Sequence, residues 1–155
     1  MAQRYIPTPQ NSDLQRSGIM STAILTELGL GASTQDLHQA VEQGLTWGTF
    51  QKLMNVVSHN KKQLSAILRI PPATLDRRAK GGRFSAEESD RIVRYAKILM
   101  AAESLFEGDR AAAIRWLETP AKALGGKQPS ELISTSVGTN AVLDLIARIE
   151  HGIIT

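Results

Sequence analysis

Basic side chains are concentrated in residues 59–83, where Asp76 is the single acidic residue. The seven are Lys61, Lys62, Arg69, Arg77, Arg78, Lys80 and Arg83. Lysine and arginine at this density neutralise phosphates, and arginine can also grip a guanine edge through two parallel hydrogen bonds. The net charge is −1 over residues 1–58, +6 over 59–100 and −2 over 101–155, so the total of +3 hides a local excess. The segment therefore predicts a polyanion partner, with a merely solvated helix face as the alternative.

The other residue types with chemical potential form no catalytic pattern. The histidines are scattered along the chain, at His38, His59 and His151. His38 and Glu42 share a helix face, but two ligands do not make a catalytic metal site. Gly29-Leu30-Gly31 lacks the third glycine and the preceding strand of a dinucleotide loop, and Gly126-Lys127 departs from a P-loop at both ends. We therefore expect no enzyme, no metal site and no cofactor.

Composition sets the class of protein. The chain has 155 residues, 42% of them hydrophobic and 21% charged, which suits one ordinary domain or two small ones with a real core. The absence of cysteine excludes disulfides and thiolate chemistry. No apolar run approaches the ~18 residues of a membrane span, and the N-terminus lacks the apolar core of a signal peptide. A cytoplasmic protein without membrane contact is expected.

Two short helices joined by a turn must position the basic residues. Asn60 and Gln63 have the spacing of a capping box, which predicts a helix over 61–68. Arg69-Ile70-Pro71 forms the turn, and a second helix runs over 72–80 until Gly81-Gly82 stops it. This pattern is typical of a helix-turn-helix, whose second helix enters the DNA major groove.

The predicted orientation assigns roles to the side chains. Pro72, Ala73, Thr74 and Arg77 lie nearest the base edges, because the recognition helix enters N-terminus first. Arg77 or Arg78 can read a guanine, a contact that is worth roughly 1–3 kcal/mol of discrimination. The expected phosphate contacts, which fix register without reading sequence, are Lys61, Lys62, Lys80 and Arg83.

The rest of the chain is predicted to be helical, with no convincing strand, so the fold class is all-α. Apolar stripes at helical spacing run over Phe50–Val57, Ile92–Phe106 and Val142–Ile149, and Ser85 with Glu88 forms a second capping box. We divide the chain into a flexible arm (1–20), a weakly helical extension that is a candidate for self-association (21–45), a helix-turn-helix domain (46–106) and a C-terminal helical domain (107–155).

The residues from Gln63 to Gly152 resemble a known family. The matching motifs are Thr74-Leu75-Asp76-Arg77-Arg78, Trp116-Leu117-Glu118-Thr119-Pro120, Leu124-Gly125-Gly126-Lys127-Gln128-Pro129 and Arg148-Ile149-Glu150-His151-Gly152. They resemble the antitoxins of the Xre/MbcA/ParS type, which are partners of RES-domain toxins. Residues 1–45 contribute nothing to the resemblance.

The resemblance implies a Cro-like helix-turn-helix followed by a small helical toxin-binding domain, in a protein that acts as a homodimer. It implies a type II antitoxin that occludes the active site of a RES-type, NAD-consuming toxin and represses its own operon by binding promoter DNA. A plain transcriptional repressor, whose C-terminal domain only dimerises or senses a ligand, is the alternative from another class.

Candidate toxin contacts lie in the C-terminal domain. Trp116 is either a core residue or a toxin-facing aromatic. Gly125 and Gly126 make a turn that favours positive φ, with close approach of a partner as the second interpretation. The stripe of Val142, Leu145, Ile146 and Ile149 is assigned to the core. The end of the chain supplies the remaining candidates, which are Arg148, Glu150, Ile153, Ile154 and Thr155.

Overall fold

The computed structural model of the chain describes residues 23–152, and every regular element in this part of the chain is helical. Residues 23–27 are helical (α1). Then follow α2 (Thr34–Gln43), α3 (Trp47–Val57), α4 (Lys61–Leu68), α5 (Pro72–Lys80), α6 (Ala86–Leu105), α7 (Arg110–Leu117) and α8 (Ser136–Glu150). Two 3₁₀ turns, Lys122–Leu124 and Pro129–Leu132, lie between α7 and α8. The predicted all-α class, with a helix-turn-helix ahead of a helical C-terminal domain, is confirmed.

The helices begin where side chains can satisfy the free amides of a first turn. Both predicted capping boxes form: Asn60 Oδ1 accepts from the Gln63 amide at 2.8 Å, and Ser85 Oγ accepts from the Glu88 amide at 3.1 Å. In each box the Gln63 or Glu88 side chain accepts the amide of the cap residue in return. Further N-caps are provided by Ser33, Thr46, Asp109 and Thr135.

Helix α6 is the central element of the core and contacts α2, α4, α7 and α8. Its predicted stripe is buried at Ile92, Ala96 and Leu99, whereas Phe106, the residue after its end, is only partly buried. Since the twenty residues of α6 run past both halves of the chain, this helix fixes how the halves sit together.

Residues 23–45 are better packed than their weak helical pattern suggests. Ile24, Leu25 and Leu28 have at most 3% of their surface exposed and belong to the core. The Arg110 guanidinium of α7 bonds both carboxylate oxygens of Glu27, at 2.9 and 3.0 Å, and Glu103 of α6 at 2.8 Å. The segment therefore joins the two halves, and its buried apolar residues pack in the core of the described chain.

A short extended pairing closes the first half of the molecule. The Phe84 amide donates to the Leu45 carbonyl at 2.9 Å, next to a bridge between Thr46 and Arg83. Gly44 adopts a φ of 84°, and a Cβ there would overlap the carbonyl oxygen of Phe84. Only glycine fits this approach, which holds the end of α2 against the start of α6.

One part of the C-terminal stripe differs from its prediction. Val142, Leu145 and Ile146 are buried, but Ile149 is 41% exposed and was wrongly assigned to the core. Ile149 lies in the last turn of α8, where burial of the stripe falls off, so spacing alone overestimates it. The predicted arm, residues 1–20, and the candidates Ile153, Ile154 and Thr155 lie outside the described residues.

Candidate functional site

Helices α4 and α5 form the predicted helix-turn-helix around four buried side chains, Leu64, Leu68, Ile70 and Leu75. The connection turns sharply because Arg69 adopts the left-handed conformation, with a φ of 52°. The buried Ser65 hydroxyl donates to the Ile70 carbonyl at 2.6 Å, and the Ile70 amide donates to the Ser65 carbonyl at 3.1 Å. These contacts set the angle at which α5 leaves the turn.

Helix α5 presents its predicted reading residues to solvent. Ala73, Arg77 and Lys80 are exposed and Thr74 is partly so, while only Leu75 is buried. One Arg77 Nη donates to the Thr74 hydroxyl at 3.3 Å, which leaves most of its donors for a partner. Lys62 on α4 is exposed as well, so the structure brings these residues to the same helix pair.

Three of the predicted contact residues already have partners within the described chain. Arg78 forms an ion pair with Glu88 of α6 at 2.9 Å, Lys61 forms one with Asp76, and Arg83 donates to the Gly44 carbonyl at 2.9 Å. The hydrogen bond and charge of Lys61 hold the pKa of Asp76 below its ordinary value. Arg78 is therefore a weaker candidate for base reading than Arg77, because binding DNA through it would break a half-buried pair.

Glu88 is held in place from two directions. The Ser85 amide and an Arg78 Nη both donate to the same carboxylate oxygen, at 2.8 and 2.9 Å. Burial works to raise the pKa of Glu88, but these two donors outweigh it and keep the pKa below the usual range. The start of α6 therefore carries a fixed negative charge that faces the back of α5.

Two arginines to which the sequence pattern assigned no contact role lie beside this unit. Arg69 is exposed in the turn between α4 and α5. Arg91 of α6 donates one Nη to the carbonyls of Leu68 and Arg69, at 3.1 and 2.9 Å. Arg69 could have been found from its place in the basic stretch. Arg91 could not, since its partners lie more than twenty residues away.

The C-terminal half offers a second surface, of different chemistry. Gly125 and Gly126 turn the chain with φ values of 68° and 80°, and both are exposed with open space around them. A cleft of about 190 Å³ lies beside this loop, between Ala123, Leu124 and the α8 residues Ala141, Asp144 and Arg148. The structure therefore places the Gly125-Gly126 loop and Arg148 near one another.

An exposed apolar side chain extends this second surface. Val137, in the first turn of α8, is 80% exposed. Val137, Ala141, Asp144 and Arg148 recur every three or four residues and share one side of the helix, which we call the α8 face. A single exposed valine is not an interface by itself, but it makes the start of the α8 face more apolar than its charged end at Asp144 and Arg148. The stripe analysis missed Val137 because it lies outside the buried periodicity.

The remaining predicted contacts lie elsewhere. Trp116 is partly buried and packs against the core. Glu150 is exposed but lines a groove between α6 and α8 together with Lys97 and Ile146, apart from the cleft that holds Arg148. The structure thus brings the loop and Arg148 together and leaves Trp116 and Glu150 at other positions.

The histidines take up local contacts. His38 faces Glu42 at 3.2 Å on an exposed helix surface, and Nε2 of His59 faces a carboxylate oxygen of Glu118. Over residues 23–152 no group of three metal-ligating side chains comes together. Within the same residues no helix has the length and apolarity to cross a bilayer.

Two family models match this chain, and they meet close to residue 100, where the net charge changes from positive to negative. Residues 36–97 match the antitoxin Xre-like helix-turn-helix domain, and residues 101–152 match the antitoxin Xre/MbcA/ParS C-terminal toxin-binding domain. The first match starts inside α2, ahead of residue 46, where we expected the domain to begin.

Similar proteins extend the match along almost the whole chain. Antitoxin Xre of Yersinia enterocolitica is 36% identical over 151 residues, which cover 96% of this chain and 97% of the relative. Antitoxin Xre of Photorhabdus laumondii is 32% identical over 139 residues, or 88% and 94% of the two chains. A Prs ADP-ribosylating antitoxin of a Sphingobium species is 25% identical over 130 residues, or 78% and 82%.

The Yersinia and Photorhabdus matches are long enough to include most of the segment before residue 46, which contributes nothing to the resemblance seen in the sequence motifs. Ile24, Leu25 and Leu28 of this segment are buried in the core, which gives a structural reason for the match to extend into it. The helix-turn-helix implies DNA as one partner, and the toxin-binding domain implies a toxin as the other. The chain belongs to the antitoxin Xre family.

Proposed function

We propose that this chain represses its own operon by binding promoter DNA as a homodimer, and that it neutralises a RES-type, NAD-consuming toxin by occluding the toxin's active site. The observation that carries the DNA part is the basic surface of α4 and α5. There Lys62, Arg77 and Lys80 are exposed and form no salt bridge among the described residues. A homodimer would place two recognition helices about 34 Å apart, one turn of duplex.

The roles of individual side chains follow from their partners. Arg77 is the candidate for base reading, because its guanidinium is exposed near the N-terminal half of α5, beside Ala73 and Thr74. Lys62 and Lys80 are phosphate contacts that fix the register. Arg69, in the turn, adds a further positive charge at the same edge.

Binding to the region upstream of the gene tests the DNA part. We expect Arg77→Ala to weaken binding to that fragment roughly tenfold to a hundredfold, since a bidentate base contact is lost. Binding to an unrelated duplex of equal length should change far less. Arg148→Ala, which removes an arginine from the α8 face, is the matched control and should leave both affinities unchanged. An unchanged footprint for Arg77→Ala would remove α5 as the recognition helix.

The toxin part rests on the α8 face and its neighbouring loop. Val137 is exposed, Arg148 lines the adjacent cleft, and the loop at Gly125 leaves space for close approach of a partner. The Sphingobium relative is named a Prs ADP-ribosylating antitoxin, and because ADP-ribosylation consumes NAD, this supports a toxin of the RES type.

Co-purification separates this proposal from a plain repressor. Co-expressed with the product of the neighbouring gene, the tagged chain should retain that product in stoichiometric amounts, and the complex should lack NAD-consuming activity. A chain that binds DNA but retains no protein partner would support the repressor alternative. A complex that still consumes NAD would contradict occlusion of the active site.

A further inference from the structure

Recognition helix α5 has few contacts of its own to fix its orientation. Only Leu75 is buried, and the N-cap Pro71 provides no side-chain hydrogen bond to the first turn. The preceding Arg69 is held in the left-handed conformation, which a residue with a Cβ adopts at a cost. Besides the Ser65 and Ile70 hydrogen bonds of the turn, the angle of α5 therefore depends on contacts from outside the helix.

Helix α6 supplies this support at the turn. One Nη of Arg91 bonds the carbonyl oxygens of Leu68 and Arg69, at 3.1 and 2.9 Å. These carbonyls belong to the end of α4, where no intrahelical donor remains for them and where the helix dipole favours a positive charge. Arg91 thus satisfies the end of α4 and holds the left-handed residue between α4 and α5.

The same part of α6 reaches α5 a second time. Glu88 lies one turn before Arg91 and accepts a hydrogen bond from Arg78 at 2.9 Å. The capping bond from the Ser85 amide fixes the position of the Glu88 carboxylate. Helix α6 in turn is fixed by its buried residues, among them Ile92 and Val93. Helix α6 therefore holds α5 at two points. Arg91 contacts the turn before α5, and Glu88 contacts Arg78 within α5.

We propose that Arg91 is a positioning residue for DNA recognition, which acts through the carbonyls of Leu68 and Arg69 to hold α5 at its reading angle. The inference rests on the proposed DNA binding. This role does not require Arg91 to touch a phosphate, because the Nη that carries it bonds the two carbonyls of the turn. Loss of Arg91 should therefore impair sequence reading and leave the general attraction to DNA in place.

Arg94 of α6 provides a matched control within the same helix. It lies three residues further on, forms an ion pair with Asp90, and donates to the Ser134 carbonyl at 3.4 Å, away from the turn. Arg94→Ala removes the same side chain and charge as Arg91→Ala. Arg91→Lys keeps the charge and one donor group that can reach a carbonyl, so it tests whether the contact itself matters.

The experiment measures the affinity of the full chain and its variants for the upstream fragment and for an unrelated duplex. For Arg91→Ala we expect a roughly tenfold or larger loss on the upstream fragment, less than threefold change on the unrelated duplex, and an unchanged salt slope on the latter. Arg91→Lys should recover part of the loss, and Arg94→Ala should match the wild type. Hydrogen exchange should rise in residues 69–80 of Arg91→Ala and stay unchanged in α8.

Each contrary result has its own meaning. Equal losses on both duplexes, with a salt slope lowered by about one, would make Arg91 a phosphate contact and overturn the inference. Wild-type affinity in Arg91→Ala, or an equal loss in Arg94→Ala, would overturn it as well. A wild-type chain that does not prefer the upstream fragment would refute the proposed DNA binding, and the inference with it.

Discussion

The two candidate surfaces differ in how much of their chemistry is already used inside the molecule. Around α5, Lys61, Arg78 and Arg83 are engaged by their own chain, so only part of the positive charge is available to a partner. On the α8 face, Val137 is 80% exposed. The first surface suits a charged, hydrated partner, and the second suits one that excludes water.

Charge density in a sequence therefore overstates the charge that is available to a partner. Seven basic residues predict a strong polyanion site, yet several of them orient helices. An exposed valine carries little signal in a sequence and is conspicuous in the structure. Mutations on each surface can show whether the two surfaces work independently.

The largest effect is expected on the α8 face. Val137→Asp combined with Arg148→Glu should lower the affinity for the toxin a hundredfold or more. The first substitution places a charge in an apolar contact, and the second reverses the charge of its neighbour on the α8 face. Affinity for the upstream DNA should stay within about twofold. Titration of purified toxin measures the first effect, and Lys52→Glu, a charge reversal at an exposed residue of α3, is the control. Undiminished capture would place the toxin on another surface.

A stability test compares the rigidity of the two regions. Gly44→Ala should lower the free energy of unfolding by about 3 kcal/mol, because a Cβ meets the Phe84 carbonyl at a positive φ. Gly125→Ala, also at a positive φ but in open space, should cost only about 1 kcal/mol. Urea unfolding gives both values. Equal losses would mean that the close approach at Gly44 is not rigid.

Salt dependence measures the charge that α4 offers to DNA. Lys62→Ala should lower the slope of log affinity against log salt by about one, since one phosphate contact is lost. Lys127→Ala, which removes an exposed lysine from the C-terminal half, should leave the slope unchanged. A slope that falls equally in both variants would show that the two regions are not electrostatically distinct.

The smallest effect concerns the pair that holds α5 from behind. The pKa of Glu88 in the folded chain lies below its ordinary value of 4.5, so its stabilising contribution is full above that value and disappears as the pH falls through the lowered pKa. Glu88→Gln should therefore unfold more easily than the wild type at pH 7, by about 1 kcal/mol. Thermal unfolding at several pH values should show the difference vanishing in acid. A difference that persists there would point to packing instead of charge.

Local chemistry explains most of what the sequence could predict. Capping boxes and glycine stops depend on residues within a few positions of each other, so the start of α4, the end of α5 and the start of α6 could be placed from the sequence. The exposed positions of Arg77 and Lys80 on α5 also follow from helical spacing. The family resemblance supplied the partners, which spacing alone could not.

The contacts that could not be predicted join residues far apart in the chain. Arg91 and the end of α4, Arg83 and Gly44, and Arg110 and Glu27 meet only after the helices pack. Ile149 was misjudged for the same reason, because a stripe shows which side of a helix is apolar and not where its covering elements end. Periodicity predicts the apolar side of a single helix, whereas the residues that it contacts depend on how all the helices pack.

The bridge from Arg110 to Glu27 and Glu103 bears on how members of this family can be recombined. A chimaera that joins one antitoxin's helix-turn-helix to another's C-terminal domain would cut the chain near residue 100. In such a chimaera Glu27 comes from one parent and Arg110 from the other, although in this chain the two residues form one ion-pair network. An exchange that keeps this network must carry α1 together with α7, so the unit to be exchanged is discontinuous along this chain.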